Sequence, residues 1–200
     1  MENINASKGN KFYNLFVEKI KQITLETYKG KLEEFTKQVT EVINAIIEES
    51  CSSQNEYFRI DAVGWTSYSA ENDIKSEADK VGLNTHIWNL NIAVEHENNV
   101  RDWTDELVKL IHVRSPLKVI IAYNYYDIRF CNTDPESDES KFQYAAKWMK
   151  KIRAFDESAK EEYMIIIGNA AGKRNHNSSY NAFDYRGYQY NYDTGEFKKI

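Results

Sequence analysis

Asp61, Glu95 and Glu97 are the residues whose types and spacing could do chemistry together. In extended backbone, period two puts Glu95 and Glu97 on one face of a strand about 6.7 Å apart, where an aspartate from a neighbouring strand can join them. Hard oxygen donors of this kind suit a divalent cation such as Mg2+ or Mn2+, and sharing one places the Asp61 and Glu95 carboxylates within about 6 Å of each other. Such a cation activates water and stabilises charge at a phosphate, so the chemistry would be phosphodiester hydrolysis. Without it the two carboxylates should repel and raise one apparent pKa. The bland alternative is a solvated sheet face. His96 lies between the glutamates, and alternation turns it to the opposite face as a core-facing histidine rather than a ligand.

The elements that must position these groups follow from periodicity. Residues 57–65 read as a strand with Asp61, Val63 and Trp65 on one face, and residues 67–84 as a loop or distorted hairpin. Residues 86–97 read as a longer strand, with Trp88, Leu90, Ile92 and Val94 on one face and Asn89, Asn91, Ala93, Glu95 and Glu97 on the other. Asn99 is the expected N-cap of a helix over about 100–113 carrying Trp103, Leu107, Leu110 and Ile111. Residues 117–123 form an apolar run typical of a strand buried on both faces. Strand, helix and strand make a right-handed parallel crossover, which sets the Glu95 strand in the middle of the sheet. Two amphipathic helices precede this unit, over 11–29 with Gly30 as its stop, and over 31–49. After it come an acidic loop over 127–140, a helix with Phe142, Ala145, Met149 and Ile152, and a buried strand over 162–168. A polar stretch over 169–179 follows, then a tyrosine-rich strand with Tyr188, Tyr190 and Tyr192, and a turn at 193–196.

The order Arg59-Ile-Asp61-Ala-Val-Gly-Trp65, Ile92-Ala-Val-Glu95-His-Glu97-Asn98, a helix with Trp103 and Glu106-Leu-Val-Lys109-Leu, then Leu117-Lys-Val-Ile-Ile-Ala-Tyr123 resembles the PD-(D/E)XK nuclease superfamily over residues 31–125. The resemblance implies an α/β fold with a restriction-endonuclease-like mixed central sheet flanked by helices, and a divalent-metal-dependent nuclease acting on DNA or RNA. It implies Asp61 as the metal-binding aspartate, Glu95 as the second acidic ligand, and Glu97 where the superfamily usually carries lysine. Lys109 is then the candidate for a lysine displaced to the following helix, aimed by an ion pair with Glu106 at i,i+3. Lys118 is the runner-up. Glu33, Glu34, Glu48 and Glu49 are candidate acidic contributors from the preceding helix. Lys109 would steady phosphate charge, and Lys109→Ala would abolish cleavage with little effect on melting temperature. Against this, a rise of about 1.5 Å per residue carries Lys109 roughly 13 Å from the helix start. The missing lysine at position 97 favours the alternative, a catalytically inactive relative serving as a binding or regulatory protein.

The 200 residues, 42% hydrophobic, suffice for one domain. Its parts are an N-terminal helix (1–30), the nuclease-like core (31–125) and a C-terminal helix with strands (140–200). Cys51 and Cys131 show neither disulfide nor zinc spacing, which fits a reducing, cytoplasmic compartment. No apolar run is long enough for a membrane span. The net charge of −5 argues against a protein that coats nucleic acid, yet leaves a metal nuclease open. Lys147, Lys150, Lys151 and Arg153 could meet phosphates, although a charged helix face is usually only solvated. The tyrosines of the tail could stack on unpaired bases, but read more simply as a half-buried strand. Trp65, Trp88 and Trp103 read as packing residues, and a homodimer is compatible with the sequence.

Overall fold

The computed structural model describes residues 7–23, 31–67, 72–82, 88–98, 103–124, 138–157, 161–170 and 183–200. Gly30, Asn99, Cys131, nearly all of the acidic 127–140 segment and most of 169–179 lie outside them. The chain builds one seven-stranded mixed sheet in sequential order: β1 (Ser52–Tyr57), β2 (Ile60–Ser67), β3 (Trp88–Glu97), β4 (Leu117–Asn124), β5 (Glu162–Ala170), β6 (Phe183–Asn191) and β7 (Glu196–Lys199). β1–β2–β3 are antiparallel, β3–β4–β5 parallel, and β5–β6–β7 antiparallel again. β3 is therefore an interior strand between β2 and β4, as its crossover requires.

Helices cover both faces. The first face carries α1 (Lys8–Lys19) and α2 (Leu32–Ile47), whose stripes of Phe12 and Phe16, and of Phe35, Val39, Ile43 and Ile47, pack on Ala62, Ile92, Val94, Val119, Ile121 and Ile166. After the polar helix α3 (Asn72–Lys80), α4 (Trp103–Ile111), α5 (Asp138–Met149) and the short α6 (Arg153–Glu157) follow in the chain. These last three bury Trp103, Leu107, Leu110, Phe142, Met149 and Phe155 on the second face, against Val63, Ala93, Ile120, Ile165 and Tyr188. α1 begins at Ser7, whose hydroxyl accepts from Asn10 N–H, and the Glu162 carboxylate accepts the N–H groups of Lys8 and Gly9 at 3.1 and 2.8 Å. Those are donors a helix start leaves open.

Three local readings are corrected. Residues 57–65 are not one strand: the chain reverses at Phe58–Arg59, and Ser52–Tyr57 forms an edge strand of its own. Both turn residues have positive φ, 49° and 63°, as in a type I′ hairpin, but without the Asn-Gly signature that marks one. Glu56 also has φ 53°, a break in the pleat next to Tyr57. Second, residues 72–80, expected as loop, are helical. Third, the 86–97 segment does not keep one side chain pattern throughout. A register shift at Gly64/Trp65 leaves Asn91 unpaired, so Leu90 packs with the second-face cluster while Ile92 and Val94 pack with the first. At Gly64 a Cβ would meet Ile92, Ile47 and Cys51 at 2.5–2.7 Å, so the close approach of α2 requires glycine there.

Candidate functional site

Asp61 and Glu95 arrive from neighbouring strands on the second face. The pairing Ala62↔Val94 runs on to bring them opposite one another at the point where the β2–β3 ladder ends. There Asp61 takes over a backbone role: its Oδ2 accepts the N–H of His96 at 2.7 Å. Glu95 is 1% exposed. Lys109 comes down on it from α4, its Nζ 2.8 Å from Glu95 Oε1, in ion contact with Glu106 and donating to the Arg59 carbonyl at 2.9 Å. The expected 13 Å shortfall does not arise, because a crossover helix runs back antiparallel over its strand and its rise returns Lys109 toward Glu95. The positive φ of Arg59 belongs to the turn that presents that carbonyl.

The electrostatics follow from burial and crowding. Burial pushes the Glu95 carboxyl up to about 8; Lys109 offsets part of this, while the charges of Asp61 and Glu106 add to it. The expected repulsion between Asp61 and Glu95 is present, but it is smaller than desolvation. Asp61 is also raised, again mainly by burial, against the pull of the His96 N–H and of Lys109. Burial acts to lower the Lys109 ammonium, but Glu106 and Glu95 outweigh it and the net shift is upward. Glu95 Oε1 and Glu106 Oε2 are buried without an aligned hydrogen bond and meet Lys109 only as ion pairs.

The remaining candidates separate. Glu97 is half-buried at the end of β3, and the second glutamate at Lys109 is Glu106 instead. Glu106 was legible as the i,i+3 partner that aims the lysine; the Arg59 carbonyl carried no sequence signal. Lys118 is fully buried, bonded to Glu161 at 2.5 Å and Tyr163 at 2.9 Å, and over the Tyr163 ring. That engagement makes it a core ion pair. Glu33, Glu34, Glu48 and Glu49 lie on or just after α2, which packs on the other face, and Glu48 and Glu49 are engaged with Ser53 and Lys19. Lys147, Lys150, Lys151 and Arg153 are exposed. Lys150 stands by Gly195 in the β6–β7 turn, at the end of the sheet away from Glu95. Tyr188 and Tyr190 are buried and pack with the second-face aromatics. His96 faces α2, its Nε2 2.9 Å from the Tyr123 hydroxyl, and burial holds its pKa down at about 3.

As for a metal, no three His, Cys, Asp or Glu side chains among the described residues gather in a metal-holding arrangement. The fold offers a cation the Asp61–Glu95 pair. That donor set fits Mg2+, which commonly takes one or two protein carboxylates and completes its shell with water and substrate phosphate. A cation there would have to share Glu95 with Lys109, whose ammonium already stands 2.8 Å from Oε1, and burial, which raises the carboxyl, favours added positive charge beside it. No helix among the described residues is long and apolar enough to cross a membrane. Comparison with family models, with curated proteins and with solved structures finds no match to this chain.

Proposed function

We propose that the chain hydrolyses phosphodiester bonds of nucleic acid at the Asp61–Glu95–Lys109 centre, on a restriction-endonuclease-like core and with Mg2+ or Mn2+ held by Asp61 and Glu95. The observation that carries this reading is the convergence of two carboxylates and one ammonium, from β2, β3 and α4, around a carboxyl buried at high energetic cost. Supporting it, the segment that bears the resemblance supplies α2, β1–β2, α3, β3, α4 and β4 in unbroken chain order, with four neighbouring strands of the sheet.

The bound cation would supply an activated water and neutralise phosphate charge. Glu95, deprotonated, would serve as one ligand, and Asp61, pinned through Oδ2 by the His96 N–H, would offer its other oxygen as a second. Lys109, held between Glu95, Glu106 and the Arg59 carbonyl, keeps a positive charge where the phosphate would sit, the kind of preorganised stabilisation worth a large rate factor.

A second reading, an inactive binding or regulatory relative of the fold, is favoured by one observation: Lys109 already supplies a cation to Glu95. Calorimetric titration with Mg2+ and Mn2+, run beside a plasmid-nicking assay, separates the two. Binding with nicking that is lost in Asp61→Ala and Glu95→Ala supports the hydrolase. A parent protein that takes up no cation and never nicks DNA or cleaves RNA leaves the inactive reading in its place.

A further inference from the structure

Four aromatic rings run in contact away from the acidic centre: Phe58 on Tyr57 with centroids 4.6 Å apart, Tyr57 on Trp88 at 5.1 Å, and Trp88 on Trp65 at 6.5 Å. The row begins at the centre itself, since Phe58 precedes Arg59, whose carbonyl binds Lys109. Its far end, Trp65, shares the β2 face with Val63 and Asp61 and lies roughly 13 Å from Asp61, two pleat repeats along the strand.

Tyr57 and Trp65 pack with one side against the second-face core, but core packing does not account for the outer end of the row. Phe58 is 81% exposed, and Tyr57, Trp65 and Trp88 are only partly buried. Phe58 is also held at φ 49°, between Glu56 at 53° and Arg59 at 63°. The two-residue hairpin requires positive φ at Phe58 and Arg59, and it leaves the Phe58 ring on the surface. Beside the row lies a cavity of about 280 Å³, lined by Gln54, Tyr57, Val63, Trp65, Ser67 and Trp88. An apolar cleft with a few polar groups, a carboxamide from Gln54 and a hydroxyl from Ser67, suits a flat heterocycle with polar atoms on its edge.

We infer that Phe58, Tyr57, Trp88 and Trp65 form a stacking platform for unpaired bases, so that the nucleic acid this chain takes is single-stranded. Every base presents a π-face to an aromatic ring once it is unpaired and unstacked, whereas in a duplex those faces are occupied by neighbouring base pairs. A strand laid along the row passes its backbone over Asp61, Glu95 and Lys109 at the Phe58 end. The inference rests on the hydrolase reading for its orientation, but its binding half is measurable without cleavage.

The test is equilibrium binding of fluorescein-labelled oligo(dT), oligo(U) and a blunt DNA hairpin in EDTA, with tryptophan fluorescence as a second readout. The full chain is compared with Phe58→Ala, an exposed substitution that leaves the core alone, and with Trp88→Ala. Expected are quenching of tryptophan by the single strands, binding weaker to the hairpin, and a loss of about fivefold or more in single-strand affinity for each ring removed. The ratio of oligo(dT) to oligo(U) affinity tells a DNA strand from an RNA strand, and either preference is consistent with stacking on bases. Hairpin binding as tight as single-strand binding, no single-strand binding, or single-strand affinity unchanged in both variants would overturn the inference. Intact aromatic-dependent binding in a protein that never cleaves sinks only the hydrolase reading; cleavage of duplex untouched by both variants sinks only this one.

Discussion

Replacing Glu95 with glutamine should change how stability responds to pH. Glutamine keeps the shape of the carboxyl and cannot ionise. In the folded protein the Glu95 carboxyl is raised from 4.5 to about 8, so the folded state holds a proton that the unfolded chain releases more readily. The stability this group contributes is fully present below pH 4.5 and is lost as pH rises through about 8. At about 1.4 kcal/mol per unit, a window of roughly 3.5 units sets a ceiling near 5 kcal/mol. Screening through the half-open side occupied by Lys109 reduces that to about 2–3 kcal/mol. Urea unfolding followed by tryptophan fluorescence at several pH values between about 5 and 9 measures it. The parent should lose stability steadily as pH rises, and Glu95→Gln should lose much less, the gap widening toward pH 9. Parallel curves for the two proteins would refute the claim that burial of Glu95 is the dominant electrostatic cost at this site.

Lys109→Ala should abolish cleavage, but it should not be silent in stability: removing the donor to Arg59 and the cation beside Glu95 costs about 1–3 kcal/mol, read as a lower urea midpoint, which revises the expectation from sequence alone. Mg2+ uptake should release a proton from Glu95 below about pH 8, so affinity rises from pH 6 to 8 and calorimetric heats depend on the buffer's ionisation enthalpy; buffer-independent heats would count against Glu95 as a ligand. His96, lowered to about 3 by burial, should show a constant neutral-imidazole NMR signal from pH 8 to pH 4, with its contribution to stability lost only as pH falls from 6.5 toward 3; a midpoint near 6.5 would contradict its placement. The double change Phe58→Asn and Arg59→Gly, which supplies the residues a type I′ turn prefers, should stabilise the fold by about 1–2 kcal/mol in thermal unfolding.

The pairing of Asp61 with Glu95 was legible because strand alternation and the apolar run of 117–123 are strong, local signals. The crossover rule then left β3 no place but the interior. The β1–β2 hairpin was not legible. Ser52-Ser-Gln-Asn-Glu has weak strand propensity, and a Phe-Arg turn at positive φ defies the residue preferences by which hairpins are recognised. α3 escaped because Asn-Asp-Ile-Lys-Ser-Glu-Ala-Asp-Lys carries no apolar stripe. The register shift beside Asn91 reassigned Leu90 to the other cluster, an offset in pairing that alternation alone does not encode. The engagement of Lys118 with Glu161 and Tyr163 likewise depends on which strand becomes the neighbour of β4, a fact about topology rather than spacing.

The docking of α1 has a consequence for how the molecule is made. Its first two N–H groups are held by Glu162, the Ser7 hydroxyl reaches Gln189, and Phe16 packs edge-on against Tyr185. Every one of these partners is translated more than 150 residues later. During synthesis, at about 5–20 residues per second, α1 therefore emerges many seconds before the strands that receive it. Until then α1 can pack on α2 and β4 but not on β5 and β6, which leaves part of its apolar stripe uncovered. Contacts of such long sequence separation slow folding and expose the chain to association. α1 is thus made well before its contacts can be completed, and residues 31–125 are not a finished unit until β5 and β6 join them. Expression of that segment alone would leave β4 without its β5 partner and bare the first-face surface on which α1 sits.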